Sequence, residues 1–558
     1  MMRILLAACV CAVSLCAPLR SLGFVHFQDQ STAPVKVVGM TPDKWREDLR
    51  YLATEMPKVH KNLFHAMTRE QFDTAVRRLD ERIPSLSRNQ ILVEFARIVA
   101  MVRDGHTFMP LFTDPKADFH AFPVNFYFFE DGLFVQSAKP EYAKAAGAKL
   151  IKIGNTRAED AYKLASELVS RDNEMGVRAF APRLLSMPEI LEGLGIIEGT
   201  ESARYTLEAD GQQFTLEVKA VPVAEIVNHL RTSSGKWVDA RDNAKAPTPL
   251  WLKDTHNNYW FEYLPDSKTI YVQYNAVQNK PDESIAKFFQ RVFAYAESNT
   301  FDRLVIDLRN NGGGNNSLNW PIIYGLIRSD KVNQRGKLFA IIGRETFSAA
   351  QNCVNQLERH TNVTFVGEPT AGNPNHYGDP RRLFLPNSGL AVFVSTLWWQ
   401  DMDPRDTRPW IAPSVAVKQS FDDYRNNIDP ILNAVVTFVP EPPLAETLLE
   451  ALKANDVARA SARYRAFKDD PRHAYVNTEF QINRLGYELL GTNQVDLAIE
   501  VFKLNVASYP HSANVYDSLG EAYVKKGNKE LAIRNYEKTL ELNPGNDGAR
   551  AALKTLRQ

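Results

Sequence analysis

The sequence predicts a multidomain chain: a helical region, an α/β core and an all-α repeat at the C-terminal end. Three observations carry this. Residues 41 to about 105 keep helical periodicity with few breakers. From about residue 255, strand-like and helix-like apolar segments alternate, and the C-terminal end repeats itself at a fixed offset. The 558 residues allow two to four domains, each with its own core.

The first residues, "MMRILLAACVCAVSLCAPLRSLG", join a positive start, an apolar run and small residues near Gly23. They read as a secretory signal, 1–23, and so as a periplasmic or secreted protein. About 15 apolar residues fall short of the roughly 20 that a spanning helix needs, so no stable membrane span is expected. Cys9, Cys11 and Cys16 lie in this segment, which leaves Cys353 alone beyond it and no internal disulfide. Cys353 sits on an apolar helical stripe and reads as a small buried hydrophobe.

Residues 41–115 read as an N-terminal helical domain. In 120–225, "AFPVNFYFFEDGLFVQSA" and "SARYTLEADGQQFTLEVKAV" alternate like strands, each with an Asp-Gly turn. Between them, "PEYAKAAGAKLIKIGN" reads as a short helix, a glycine and a strand. In 255–438, "KTIYVQYNAV" is a strand, Ile285, Phe288, Phe289, Val292, Phe293 and Ala296 recur at helical spacing, and "RLVIDL" is an apolar strand interrupted by Asp307. "KLFAIIG", a helix bearing Ala350, Cys353, Val354 and Leu357 on one face, and "VTFVG" follow. Such repeated βα units imply a mainly parallel sheet buried on both faces.

"VPEPPLAE" reads as a linker to residues 444–558. There Leu485 superposes on Leu519, Gly486 on Gly520, Ala498 on Ala532, Phe502 on Tyr536 and Pro510 on Pro544, each at an offset of 34 residues. That period is the tetratricopeptide pattern of paired helices, with residues 444–471 as a degenerate first pair.

Lysine plus arginine (66) balance aspartate plus glutamate (66), so a nucleic-acid partner has no electrostatic support and peptides or proteins are expected instead. No cofactor is expected either. The glycines of "DLRNNGGGNN" lack both a following GKS/T and the GxGxxG spacing. His60 and His65 belong to no metal motif.

Ser348, at a strand-to-helix joint, has two readings. Ser348-Ala-Ala-Gln351 fits a capping box. A serine at that place also meets free N–H groups and a positive helix end, which stabilise an oxyanion. The glycine loop and Ser348 follow consecutive strands of one parallel sheet, so both emerge at its carboxyl edge. A hydroxyl nucleophile needs a base, and histidine titrates in the right range. His106 in "VRDGHTFMP" and His376 in "GNPNHYGD" are the candidates.

Together, "RLVIDLRNNGGGN", "FSAAQNCV", "FVGEPTAG" and "DGHT" resemble the tail-specific, or C-terminal processing, serine protease family, in its tricorn-like and retinoid-binding-protein-like branch. The resemblance spans residues 41 to 420. It implies a crotonase-like ββα core, Ser348 as nucleophile, and the N–H groups of Gly313 and Ala349 as the oxyanion hole. It also implies a PDZ-like region at 120–225, interrupted by "SRDNEMGVRAFAPRLLSMPEILEGLG". The lysine base of the best-known branch is replaced by Asn373. The tricorn-like histidine carries over onto His106, the serine before it is replaced by Gly105, and Asp406 is the expected orienting carboxylate. The resulting expectation is an exported serine endopeptidase whose repeats bind protein. The alternative is an inactive peptide- or small-ligand-binding protein on the same fold.

Overall fold

A computed structural model describes residues 39–226, 237–404 and 406–558. The expected signal at 1–23 lies outside these residues. Among the described residues no helix is long and apolar enough to cross a membrane.

Helices Pro42–Val59, Arg69–Arg82 and Arg88–Ala100 begin at side-chain caps. Thr41 accepts from Lys44 N, and Thr68 with Gln71 and Ser87 with Gln90 close capping boxes. Leu49, Leu52, Met56, Phe72 and Phe95 are fully buried between them, each contributing about 1.5–3 kcal/mol by leaving water. The same core takes in Leu383, Leu390, Val392 and Val394 of a long antiparallel arm, Asn375–Phe384 paired with Ala391–Gln400. Buried Asp48 holds the arm's turn, accepting the N–H groups of Asn387 and Ser388 at 2.7 and 2.9 Å. The expected helical stretch ends at Ala100. Arg103 adopts φ 54°, and the chain turns into the loop that carries His106.

Both Asp-Gly pairs make hairpins of one antiparallel sheet, Val124–Phe129 with Gly132–Ala138 and Ser202–Ala209 with Gln212–Lys219. In the second, Asp210 and Gly211 both take positive φ (50° and 74°), the two-residue turn that suits the strand twist. The stretch that interrupts this region forms helices Glu174–Leu184 and Pro188–Gly193.

The core sheet has six strands. Tyr259–Leu264 pairs antiparallel at one edge; Thr269–Tyr274, Arg303–Asp307, Leu338–Ile342, Thr364–Gly367 and Val415–Ala416 then run parallel in sequence order. Side chains alternate faces along each strand. Ile270, Val272, Leu304, Ile306 and Ala340 pack on helices Ile285–Ser298, Trp320–Arg328 and Ala349–His360. Tyr271, Val305, Phe339, Ile341 and Val366 pack instead against Ile431 and Val435 of helix Pro430–Val436. Burial on both faces is why these strands read as unbroken apolar runs.

From Leu444 the chain is helical pairs. The 34-residue phase of glycine and aromatic has a steric cause: a Cβ on Gly486 would lie 2.3 Å from the Phe502 ring, and one on Gly520 3.1 Å from Tyr536. The repeats rest on the core. Trp410 Nε1 donates to the Tyr475 carbonyl at 3.3 Å, Arg408 lies 5.3 Å over the Phe480 ring, and His473 Nδ1 meets the Ser414 carbonyl at 3.0 Å.

Asp307, the polar residue in an apolar strand, is fully buried and is explained by its partners. Arg309 bridges it to buried Asp429, donating to Asp307 Oδ1 at 3.1 Å and to the two Asp429 oxygens at 3.1 and 3.0 Å. Tyr271 Oη donates to Asp307 Oδ2 at 2.7 Å, and Asp429 caps helix Pro430–Val436. Burial raises the Asp307 pKa, against the pull of the guanidinium. Arg309→Met would leave two buried carboxylates without a counter-charge and is expected to cost about 3–5 kcal/mol, read by urea unfolding.

Candidate active site

Ser348 sits between strand Leu338–Ile342 and helix Ala349–His360 with φ 53° and ψ −126°, and its side chain caps no helix N–H. Gln351, the other half of the expected capping box, donates to Asn355 Oδ1. The capping reading therefore fails. A non-glycine residue at such φ costs on the order of 1–3 kcal/mol and persists only where its surroundings impose it.

The glycine loop supplies the imposition. Phe347 N donates to the Asn311 carbonyl at 3.1 Å, and Thr346 Oγ1 to the Leu308 carbonyl at 2.9 Å. Gly313 (φ 107°) comes so near that a Cβ on it would lie 2.7 Å from Ser348 Cβ and 2.9 Å from Ala349 N. A Cβ on Gly314 would lie 2.2 Å from the Val277 carbonyl oxygen. Close approach, not phosphate, requires these glycines. Gly313 N–H donates to Asn311 Oδ1 at 2.9 Å. Among the described residues none accepts from Ala349 N–H, which opens the helix beside Ser348.

His106 reaches the serine from 242 residues away in sequence, its Nε2 lying 2.9 Å from Ser348 Oγ. Its ring stacks on Phe347, centroids 4.4 Å apart. The loop that carries His106 is held by two carboxylates. Asp104 accepts His106 N–H at 2.9 Å on Oδ1, and Thr107 Oγ1 and His60 Nε2 at 2.6 and 3.1 Å on Oδ2. Asp172 accepts Gly105 N–H at 2.7 Å and Asn373 N–H at 3.2 Å. A Cβ at position 105 would lie 2.7 Å from Phe347 Cζ, which accounts for the glycine at this position.

Burial lowers the His106 pKa, opposed by the charges of Asp104 and Asp379 and by the Tyr377 backbone. The imidazole is thus neutral at neutral pH, as a proton acceptor must be. With Nε2 facing the hydroxyl, the proton belongs on Nδ1. Burial would raise the Asp104 carboxyl, but the His60 hydrogen bond and the His106 charge outweigh it and hold the group below the usual carboxylate range. Asp172, deep beneath the surface though open to a cavity, is pushed up to about 7, first by burial and then by the Asp104 charge.

Asp406 does not orient the imidazole. Both its oxygens are taken by Arg408, at 2.7 Å from Nη2 and 3.0 Å from Nε, and Arg408 is also bound by Glu358 at the foot of the repeats. His376 Nδ1–H donates to the Asn373 carbonyl at 3.2 Å, and its ring stacks on His106 at 5.8 Å. Cys353 is buried and its thiol pushed up to about 12 by desolvation. His60 and His65 stack on each other, and the described residues hold no cluster of metal-ligating side chains. In "LWWQ", Leu397 and Trp398 are exposed on the arm, and Trp399 Nε1 donates to Asp379 Oδ2 at 2.6 Å. Sequence reasoning missed Asp104 and Asp172. The first stood two residues before His106, where its spacing suits a turn that bonds its own backbone; the second lay in the interrupting stretch with no local signal.

Residues 268–417 match the model of peptidase family S41, and residues 513–546 match a tetratricopeptide repeat. No curated protein matches the chain. Solved structures similar to it include mature CPAF complexed with lactacystin, 12% identical, covering 74% of this chain and 99% of that one at a TM-score of 0.48. Another is the photosystem II D1 C-terminal processing protease, 14% identical, 72% and 97% covered, TM-score 0.33. The tricorn protease is 14% identical, with 74% and 37% covered and a TM-score of 0.32. The chain is therefore a serine-type peptidase. More particularly, residues 268–417 carry a peptidase family S41 domain, and residues 513–546 a tetratricopeptide repeat.

Burial and the neighbouring His106 push the His376 imidazole down to about 3. The unfolded chain binds a proton at both histidines more readily than the folded one, so these groups withdraw stability as pH falls below 6.5. Imidazole nitrogen NMR is expected to show His106 titrating below 6.5 and His376 still neutral at that midpoint. A His106 midpoint at or above 6.5 would contradict this account.

Proposed function

We propose that the chain is an exported serine endopeptidase in which Ser348 is the nucleophile and His106 the base. The hydrogen bond of 2.9 Å between His106 Nε2 and Ser348 Oγ carries this reading. As Oγ attacks the scissile carbonyl, its proton passes to Nε2, and the imidazolium is favoured by the field of Asp104 and Asp379. The oxyanion falls to Ala349 N–H. Gly313 N–H joins it by sharing its hydrogen between Asn311 Oδ1 and the oxyanion. The imidazolium returns its proton to the leaving amine, and water, deprotonated by the same ring, releases the acyl group.

The finer divisions belong to the same reading: a helical cap at 41–115, a PDZ-like region at 120–225 and a crotonase-like core at 255–438. The signal-like residues 1–23 support export to a periplasmic or extracellular place. A groove of about 490 Å³ between repeats and core, lined by Arg408, Trp410, Phe480 and Arg484, supports a role for the repeats in holding a protein partner or a substrate segment.

The test is mass-spectrometric mapping of new termini in a complex peptide mixture. Ser348→Ala is expected to abolish every cut, and His106→Ala to slow cutting by about 10²- to 10⁴-fold. The acid limb of kcat/KM is expected below pH 6.5. If the native chain cuts neither peptides nor unfolded proteins, the binding-protein reading replaces this one.

A further inference from the structure

A cavity of about 100 Å³ opens beside the dyad. Its wall includes Gly105 and Phe347, the immediate neighbours of His106 and Ser348, together with Ala371. Most of the remaining lining is apolar, with Phe108, Phe112, Leu168, Phe180, Leu184 and Ile190 among the side chains that face it, while Ser170, Arg171, Asp172 and Arg183 stand at its edge.

We propose that this cavity is the specificity pocket of the peptidase, taking one apolar side chain of leucine size from the residue directly before or after the cut bond. The proposal rests on the peptidase reading above. Size sets the limit: about 100 Å³ is less than the about 150 Å³ of a dry apolar cavity that accommodates benzene, so the cavity as it stands suits a leucine-sized side chain and not an aromatic one. The state of the charged groups at its edge supports the proposal. Asp172 already accepts two backbone N–H groups. Arg171 donates to the Ser166 and Val169 carbonyls and pairs with Glu174, and Arg183 pairs with Glu345. These groups are engaged with the fold, and the apolar walls are left to do the recognising.

The origin of the walls is specific to this chain. Within the S41 match, only Phe347 and Ala371 contribute. The other walls come from residues 96–119 and 168–190, chiefly helix Glu174–Leu184. Substrate choice therefore lies with segments outside the matched domain.

Gly176, on that helix, gives a direct test. A Cβ there would meet only Arg171 Cβ, at an ordinary 3.6 Å, so a larger residue enters the cavity without backbone conflict and suits a helix better than glycine. Cleavage of a peptide library by the full chain is expected to place leucine-sized apolar residues at one fixed position next to the cut. In Gly176→Leu the preference for them over alanine should fall by on the order of 10- to 200-fold in kcat/KM. Phe180→Ala, which widens the cavity, should raise tryptophan relative to leucine at the same position. An unchanged preference in Gly176→Leu overturns the proposal. If that variant cuts nothing, Phe180→Ala decides, and an unchanged ratio there overturns it equally. Cuts that persist in Ser348→Ala would instead overturn the peptidase reading, and the pocket with it.

Discussion

The approach of one loop's backbone to another's is the constraint on which the site depends. Gly313 lies where any side chain would strike Ser348 or Ala349 N, and only because it lacks one can the two loops bond to each other through Asn311 and Phe347. That contact holds Ser348 in a backbone conformation it would not adopt alone. The parallel sheet makes the approach possible by delivering both loops from adjacent strands at one edge. The serine hydroxyl is thereby turned away from its own helix, and the first N–H of that helix stays open beside it.

His106, the proposed base, is held by different means. No sheet strand carries His106; a turn does, and the turn is fixed by carboxylates. Asp104 collects an imidazole, a hydroxyl and a backbone N–H, while Asp172 ties the preceding peptide to the loop at Asn373. The two anions lie near enough to oppose each other, and the Asp172 carboxyl rises accordingly. Ionising it withdraws stability as pH climbs from 3.8 to about 7. The same carboxylate edges the apolar cavity, so the geometry of the base and the shape of the cavity share one residue.

Much of this was legible in the sequence where local pattern decides structure. Strand and helix periods gave the order of the core, the Asp-Gly pairs gave both hairpins, and the 34-residue offset gave the repeats, because each rests on contacts between near neighbours. Ser348 and His106 could be singled out, and the family resemblance implied their pairing, but no local pattern could, since 242 residues separate them. Asp406 was misplaced for a related reason. A carboxylate near a motif in sequence looks available to the histidine, whereas Arg408, two residues on, encloses it within its own loop. Asp172 was invisible because nothing in "SRDNEMG" announces which distant amides it will meet. Periodicity reports what a segment buries, not what its polar groups find across the molecule.

The distance in sequence between hydroxyl and imidazole has a consequence for the life of the chain. The imidazole leaves the ribosome long before the hydroxyl, and neither can act until the N-terminal helices, the arm and the core sheet have closed on one another. On the proposed reading, a nascent or partly unfolded molecule is therefore inert, and assembly of the tertiary structure serves as the activation step.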